Sequence, residues 1–162
     1  MIAEGQRAPD VSGTTAEGER LSLADFRGNQ PVILYFYPKD DTPGCTKEAC
    51  SFRDHKRDIE AAGGALIGVS MDSAESHKKF IAKHSLNFPL LSDRDGAIAK
   101  AFGVTRLGGW MPLMPVKRVT FVIDRDGVVR RVIASELSMD AHVDGAIAAL
   151  RELGSGAGTA PR

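Results

Sequence analysis

Pro38-Lys39-Asp40-Asp41-Thr42-Pro43-Gly44-Cys45-Thr46-Lys47-Glu48-Ala49-Cys50 is the stretch from which the rest of the chain can be read. It holds both cysteines and follows an apolar run, Val32-Ile33-Leu34-Tyr35-Phe36-Tyr37. That run is uninterrupted, as expected of a central strand buried on both faces, and Pro38 ends it. Thr42 is a good N-cap and Pro43 suits the first helical position, so a helix is predicted to start there. Cys45 then sits in the first helical turn, near the positive end of the helix dipole. A thiol in that setting gives up its proton readily and becomes a nucleophile.

Towards the N-terminus, residues 8–21 read as a small β-hairpin about the turn Ala16-Glu17-Gly18-Glu19. Ser22 can cap a helical turn, Leu23 to Phe26, which Gly28 closes. Towards the C-terminus, the cysteine-bearing helix is predicted from about Pro43 to Ala62, stopping at Gly63-Gly64. Helical spacing puts Cys45, Ala49, Phe52 and Ile59 near one face and Thr46, Cys50, Asp54 and Arg57 on a mostly polar one. Ala65 to Ser70 is a second buried strand, and Ser73 caps a helix over about 73–85. Phe88-Pro89-Leu90-Leu91 is a short strand, which the proline places at a sheet edge or strand end. Asp93-Arg94-Asp95-Gly96 is a turn before a short helix, Ala97 to Phe102. Residues 103–116 form a Gly- and Pro-broken loop carrying Trp110, Met111, Leu113 and Met114. Val119 to Ile123 and Val128 to Ile133 are strands about the turn Asp124-Arg125-Asp126-Gly127, and Ala141 to Leu150 is a last amphipathic helix.

Strands alternating with helices and closed by an antiparallel hairpin predict an α/β fold, a mixed central sheet flanked by helices. With an N-terminal β-hairpin and a cysteine opening the first helix, the layout is thioredoxin-like. One domain is expected over residues 1–152, and residues 153–162, rich in Gly, Ala and Ser, read as a flexible tail.

Composition narrows the chemistry. Lys plus Arg equals Asp plus Glu at 21 each, so nothing asks for a nucleic acid or an anionic membrane as partner. No apolar run is long enough to span a bilayer. Glu4, Arg7 and Asp10 stand where a signal peptide would need an apolar core, which points to the cytoplasm. In a reducing compartment two cysteines are chemical more often than structural. They lack a CxxC pattern, and His55, His77, His84 and His142 are scattered, so no metal site is expected and each histidine reads as a surface or packed residue. Asp40 and Asp41 read as solvated loop charges.

Pro38-x-x-x-Thr42-x-x-Cys45 resembles the active-site signature of the peroxiredoxins, thiol peroxidases of thioredoxin-like fold. Arg118, just before Thr120-Phe121-Val122-Ile123-Asp124, is similar to the arginine that enters a late strand in that family. The longer run Tyr37 to Cys50 is similar to the bacterioferritin-comigratory protein, or PrxQ, branch, in which a second cysteine lies five residues after the first. The similarity covers about residues 3–152. It implies that Cys45 is the peroxidatic nucleophile and Cys50 the resolving thiol. Thr42 and Arg118 would hold the peroxide and stabilise charge, Pro38 would shield the thiolate, and Glu48 would orient the arginine. It further implies a peroxide substrate, recycling by thioredoxin or a similar dithiol, and no metal, haem or flavin.

Each residue keeps a plainer reading. Cys45 could be an inert buried thiol, and Cys50 a bystander in a one-cysteine cycle. Thr42 could serve only as the N-cap, Arg118 as a surface charge, and Glu48 as a first-turn acid favourable to the helix dipole. A general thiol–disulfide oxidoreductase is the rival enzyme, and a non-enzymatic binding or chaperone module the rival outside catalysis. An internal resolving cysteine needs no second subunit, so a monomer is expected, with a dimer left open. Loop 107–115 is more apolar than this branch leads one to expect, and its side chains are read as packing over the active-site end or contacting another protein.

Helix geometry adds a constraint. Five residues along an intact α-helix separate two Cα atoms by about 8.7 Å, with side chains diverging by roughly 140°. A disulfide seldom tolerates more than about 7 Å. A Cys45–Cys50 bond therefore requires the start of the helix, about 43–52, to unwind, and Pro43 and Gly44 make that start weak.

Overall fold

The computed structural model describes residues 1–106 and 115–154. Seven strands form one mixed sheet in the order β2-β1-β5-β4-β3-β6-β7. The strands are β1 (Ser12–Thr15), β2 (Arg20–Ser22), β3 (Val32–Phe36), β4 (Ala65–Ser70), β5 (Leu90–Ser92), β6 (Val119–Ile123) and β7 (Val129–Ala134). The helices are α1 (Pro43–Asp54), α2 (Lys56–Ala61), α3 (Ala74–His84), α4 (Ala97–Phe102) and α5 (Met139–Gly154), with a 3-10 turn over Leu23–Phe26. β3, β4 and β5 run parallel, while β6 lies antiparallel to β3 and β7 to β6. The N-terminal hairpin β1–β2 joins the sheet through an antiparallel pairing of β1 with β5. This is the predicted thioredoxin-like architecture.

β3 lies between β4 and β6, and all five of its residues are buried. Successive side chains alternate between faces. Ile33, Tyr35 and Tyr37 join a core with Cys45, Phe52, Phe80 and Leu150 from the helices, whereas Val32, Leu34 and Phe36 join a second core with Phe102 and Phe121. The apolar run before Pro38 is uninterrupted because each of its faces has a layer to meet.

Three boundaries differ from the sequence reading. The helix expected over 43–62 is interrupted at His55, where φ is −102° and ψ 10°, dividing it into α1 and α2. The His55 ring lies 2.8 Å from the Ser51 carbonyl, which also takes the His55 backbone N–H. β5 spans Leu90–Ser92 where Phe88–Leu91 was expected; it is flanked by β1 and β4, so of the two places the proline allowed the strand end holds, and Pro89, just outside, removes no ladder donor. The last helix extends beyond 141–150 at both ends, and Leu153 packs against the core instead of opening a tail. The rest of the expected tail, 155–162, lies outside the described residues. So do residues 107–114, and with them Trp110 and its apolar neighbours. The stem of that loop is described: Thr105 bridges Val116, and the Arg106 N–H donates to the Pro115 carbonyl.

Gly68 shows how tightly β4 is fitted beneath this site-bearing layer. A Cβ there would lie 2.7 Å from Leu90 Cδ2 and 3.0 Å from the Tyr35 ring. Gly68→Ala is expected to lower stability by about 1–3 kcal/mol through overpacking. A urea unfolding midpoint equal to wild type would show that the layer yields without cost.

Candidate active site

The C-terminal ends of β3 and β4 and the entry to β6 converge on the first turns of α1. Val119 opens β6 opposite Phe36, the last residue of β3. Arg118, one residue earlier, therefore leaves the sheet beside the segment that leads into α1. Its side chain is buried, as are Cys45 and Glu48. Nη1 donates to Glu48 Oε1 at 2.7 Å and Nη2 donates to Cys45 Sγ at 3.3 Å. The guanidinium fork thus joins two side chains one helical turn apart on the inner face of α1. Gly44 makes room for it, since a Cβ there would stand 3.1 Å from Nη2. The backbone N–H of Arg118 donates to Glu136 Oε2 at 3.0 Å, and Arg106 pairs with that same oxygen at 2.8 Å.

The plainer readings of two residues are corrected by this geometry. Arg118 is not a surface strand charge. Glu48 lies past the first turn of α1 and is wholly buried, so it is not a solvated dipole acid. Burial raises its carboxyl from 4.5 to about 7, against the opposing pull of Arg118. Pro38 is buried at the end of β3. Thr42 occupies the N-cap position with an extended backbone, but its hydroxyl donates to the Lys39 carbonyl at 2.9 Å and caps no first-turn amide. Its backbone carbonyl accepts the Thr46 N–H at 2.8 Å. Cys50 is half-buried on the polar face of α1, and neither cysteine is in a disulfide.

Sequence reasoning missed a second layer. His142 of α5 is fully buried, with Nε2 2.8 Å from the Ser135 carbonyl and Nδ1 2.8 Å from Thr120 Oγ1. A carbonyl can only accept, so Nε2 carries a hydrogen. Burial holds the imidazole below its ordinary pKa and hence neutral, leaving a lone pair on Nδ1 that takes the Thr120 hydroxyl. Glu48 Oε2 is 3.7 Å from that nitrogen. A histidine one turn inside an amphipathic helix carries no sequence signal that separates this role from plain packing.

Asp40 is also not the solvated charge expected. It is buried, and its carboxylate accepts from Tyr37 Oη at 2.6 Å and Ser76 Oγ at 2.8 Å, with His77 Nδ1 at 2.7 Å. The other ring nitrogen of His77 lies 3.0 Å from the Leu91 carbonyl. The Asp40 N–H donates to Asp72 Oδ2, tying the loop before α1 to the end of β4. Asp40, Asp72 and His77 bring ligand-type atoms within 4.8 Å of one another, but these atoms are engaged in the hydrogen bonds just described. Asp41, by contrast, is exposed and pairs with Lys83 and His84.

The Glu48 shift has a consequence for stability. Its folded pKa, about 7, exceeds the 4.5 of an unperturbed carboxyl, so between those values the folded chain binds more protons than the unfolded one. Stability from this group is therefore full below about 4.5 and falls as pH rises to about 7. Relative to Glu48→Gln, wild type is expected to lose on the order of 2–3 kcal/mol across that range. Parallel pH profiles of urea unfolding for the two proteins would contradict it.

Comparison with known proteins agrees with the geometry. Residues 4–132 match the AhpC/TSA family. A chloroplastic peroxiredoxin Q of Sedum lineare is 40% identical over 94% of this chain and 80% of its own. The structure of peroxidoxin BcpB from Mycobacterium tuberculosis is 43% identical and superimposes with a TM-score of 0.88, covering 94% of this chain and 99% of that one. Peroxiredoxin Q from Xanthomonas campestris is 32% identical with a TM-score of 0.81, covering 89% and 91%. Among the described residues no helix is long and apolar enough to cross a membrane. A matched family model over most of the chain, relatives of this identity and a shared fold leave one assignment: the chain belongs to the AhpC/TSA family, as a peroxiredoxin of the bacterioferritin-comigratory, or Q, branch.

Proposed function

We propose that this thiol peroxidase reduces hydrogen peroxide and organic hydroperoxides through Cys45, with Cys50 as the resolving thiol. The observation that carries the reading is the buried Arg118 fork, which donates to Cys45 Sγ and Glu48 at the N-terminal end of α1. The guanidinium and the helix start both turn positive charge towards the Cys45 sulfur, which reacts as the thiolate. Its lone pair attacks one peroxide oxygen, the O–O bond breaks, and the second oxygen leaves as water or alcohol after taking a proton. Arg118 stabilises the charge that moves onto the departing oxygen. Thr42 directs peroxide towards the sulfur once its hydroxyl turns from the Lys39 carbonyl, and Pro38 keeps water from the sulfur. Organic peroxides are included because a related structure, that of the Xanthomonas campestris bacterioferritin comigratory protein, is described by its alkyl peroxide reduction activity.

Cys45 sulfenic acid then condenses with Cys50, losing water and forming a disulfide, and thioredoxin or a similar dithiol reduces that bond by exchange. Both cysteines lie on α1, so the condensation requires α1 to open. Both sulfurs of the disulfide come from one chain, which then works as a monomer in a reducing compartment such as the cytoplasm.

Cys45→Ser should abolish peroxide turnover while the fold persists, and activity retained in that variant removes Cys45 from the reaction. Cys50→Ser should consume one equivalent of peroxide and then stall; continued turnover with dithiol would favour the one-cysteine cycle. Arg118→Ala should slow sulfenic acid formation by about 100-fold or more. In amide hydrogen exchange, residues 43–52 should lose protection on oxidation while β3 and β6 keep theirs. Equal protection of 43–52 in both redox states would exclude the Cys45–Cys50 bond.

A further inference from the structure

Among the described residues, Arg118 is the one cation in contact with two groups that can each become an anion, Glu48 and Cys45. All three are buried, so one guanidinium can balance one negative charge there but not two. When Cys45 is a thiolate, Glu48 is driven towards its neutral acid, because the two charges would share one guanidinium.

The second carboxyl oxygen of Glu48 is built for that proton. Oε2 finds no hydrogen-bond partner among the described residues. It lies 3.7 Å from His142 Nδ1, which bears no hydrogen because Nε2 is committed to the Ser135 carbonyl and whose lone pair takes the Thr120 hydroxyl. An ionised Oε2 would be a buried charge facing a nitrogen with no hydrogen to give, whereas a protonated Oε2 leaves no charge there to satisfy. We propose that Glu48 holds on Oε2, against His142, the proton that Cys45 sheds, and gives it up as the peroxide is reduced.

This rests on the reading of Cys45 as the peroxidatic thiol. The thiolate lone pair forms the S–O bond and the O–O bond breaks, its electron pair leaving on the second oxygen as hydroxide or alkoxide. Sulfur is oxidised to sulfenic acid and the peroxide is reduced. The negative charge has then left Cys45, Arg118 is free to pair with an ionised Glu48, and the proton Glu48 loses balances the one the leaving oxygen gains. Glu48 is faced by Cys45 on its own helix, Tyr35 from β3, Arg118 before β6, and Glu136 and His142 before and within α5. Tyr35 is held well above its ordinary pKa by burial, so it is neutral and does not supply the proton.

The test is the proton balance of the first half-reaction. Cys50→Ser protein, which stops at sulfenic acid, is mixed with hydrogen peroxide in weakly buffered indicator dye. Proton uptake per sulfenic acid formed is compared with that of the Cys50→Ser, Glu48→Gln double variant. At about pH 8, the protein with Glu48 should take up less than half as many protons as the double variant. As the pH is raised further, its uptake should climb to the level of the double variant, because Glu48 is by then ionised before the reaction. Equal uptake in the two proteins overturns the proposal. If the double variant does not fold, uptake that stays flat above pH 8 in the Cys50→Ser protein overturns it alone. Failure of Cys50→Ser protein to form any sulfenic acid overturns the peroxidase reading of Cys45 instead.

Discussion

One buried guanidinium holds the site together. Arg118 is the only link between the entry of β6 and the inner face of α1 that is both charged and bidentate among the described residues. A guanidinium taken out of water is costly unless its hydrogen bonds are made, and a lone carboxylate buried beside it is equally so. Together they are tolerable, and they fix α1 with its third residue, Cys45, against the sheet. The fit is close at Gly44, where a Cβ would press on the guanidinium at 3.1 Å. The geometry also depends on Glu136, which holds the Arg118 backbone from the far side of the strand entry.

The topology brings these parts together cheaply. β3 and β6 are antiparallel neighbours, so the exit of one and the entry of the other fall at the same end of the sheet. β3 delivers Pro38 and the loop into α1; β6 is preceded by Arg118. Residues 73 positions apart meet without any long excursion of the chain. α5 then crosses the same face and contributes His142 behind Glu48, so Arg118 and Cys45 are backed by fully buried polar side chains.

What the sequence disclosed follows from which signals are local. Strand β3, the Pro43 start of α1, the turn before β7 and the Ser73 cap are each written in a few adjacent residues, and all appear where expected. The juxtaposition of Cys45, Glu48 and Arg118 came from resemblance, since no spacing rule joins residue 45 to residue 118. The break at His55 was hidden because no glycine or proline marks it; the ring competes for a carbonyl that only the folded helix presents. Asp40 looked solvated for the opposite reason. Two adjacent carboxylates in a Pro-bounded loop read as surface, and only tertiary contact with Tyr37, Ser76 and His77 turns one of them inward. His142 had no local mark at all.

These tertiary bonds also decide which part of the chain can move. Asp40 is fastened by hydrogen bonds to Tyr37 just after β3, Asp72 just after β4 and His77 of α3, so in the proposed cycle it stays in place as α1 opens. The very next residue, Asp41, is a non-glycine with a left-handed φ of 58° and is exposed, held by Lys83 and His84 in pairs that water screens. Pro43 follows with no amide to give. At the far end, His55 already departs from helical geometry. Helix α1 is therefore bounded by a fixed residue and a weak joint on one side and an existing break on the other. What resists its opening is the inward face: Ala49 and Phe52 in the core, and Arg118 on Glu48 and Cys45. In the proposed cycle, oxidation of Cys45 would weaken the Arg118–Cys45 part of that contact, because a neutral sulfenic acid attracts the guanidinium less than a thiolate does. The first turn of α1 would thus be released while Glu48 still anchors the next one to Arg118, at the stage when the proposed cycle calls for Cys50 to reach the oxidised sulfur.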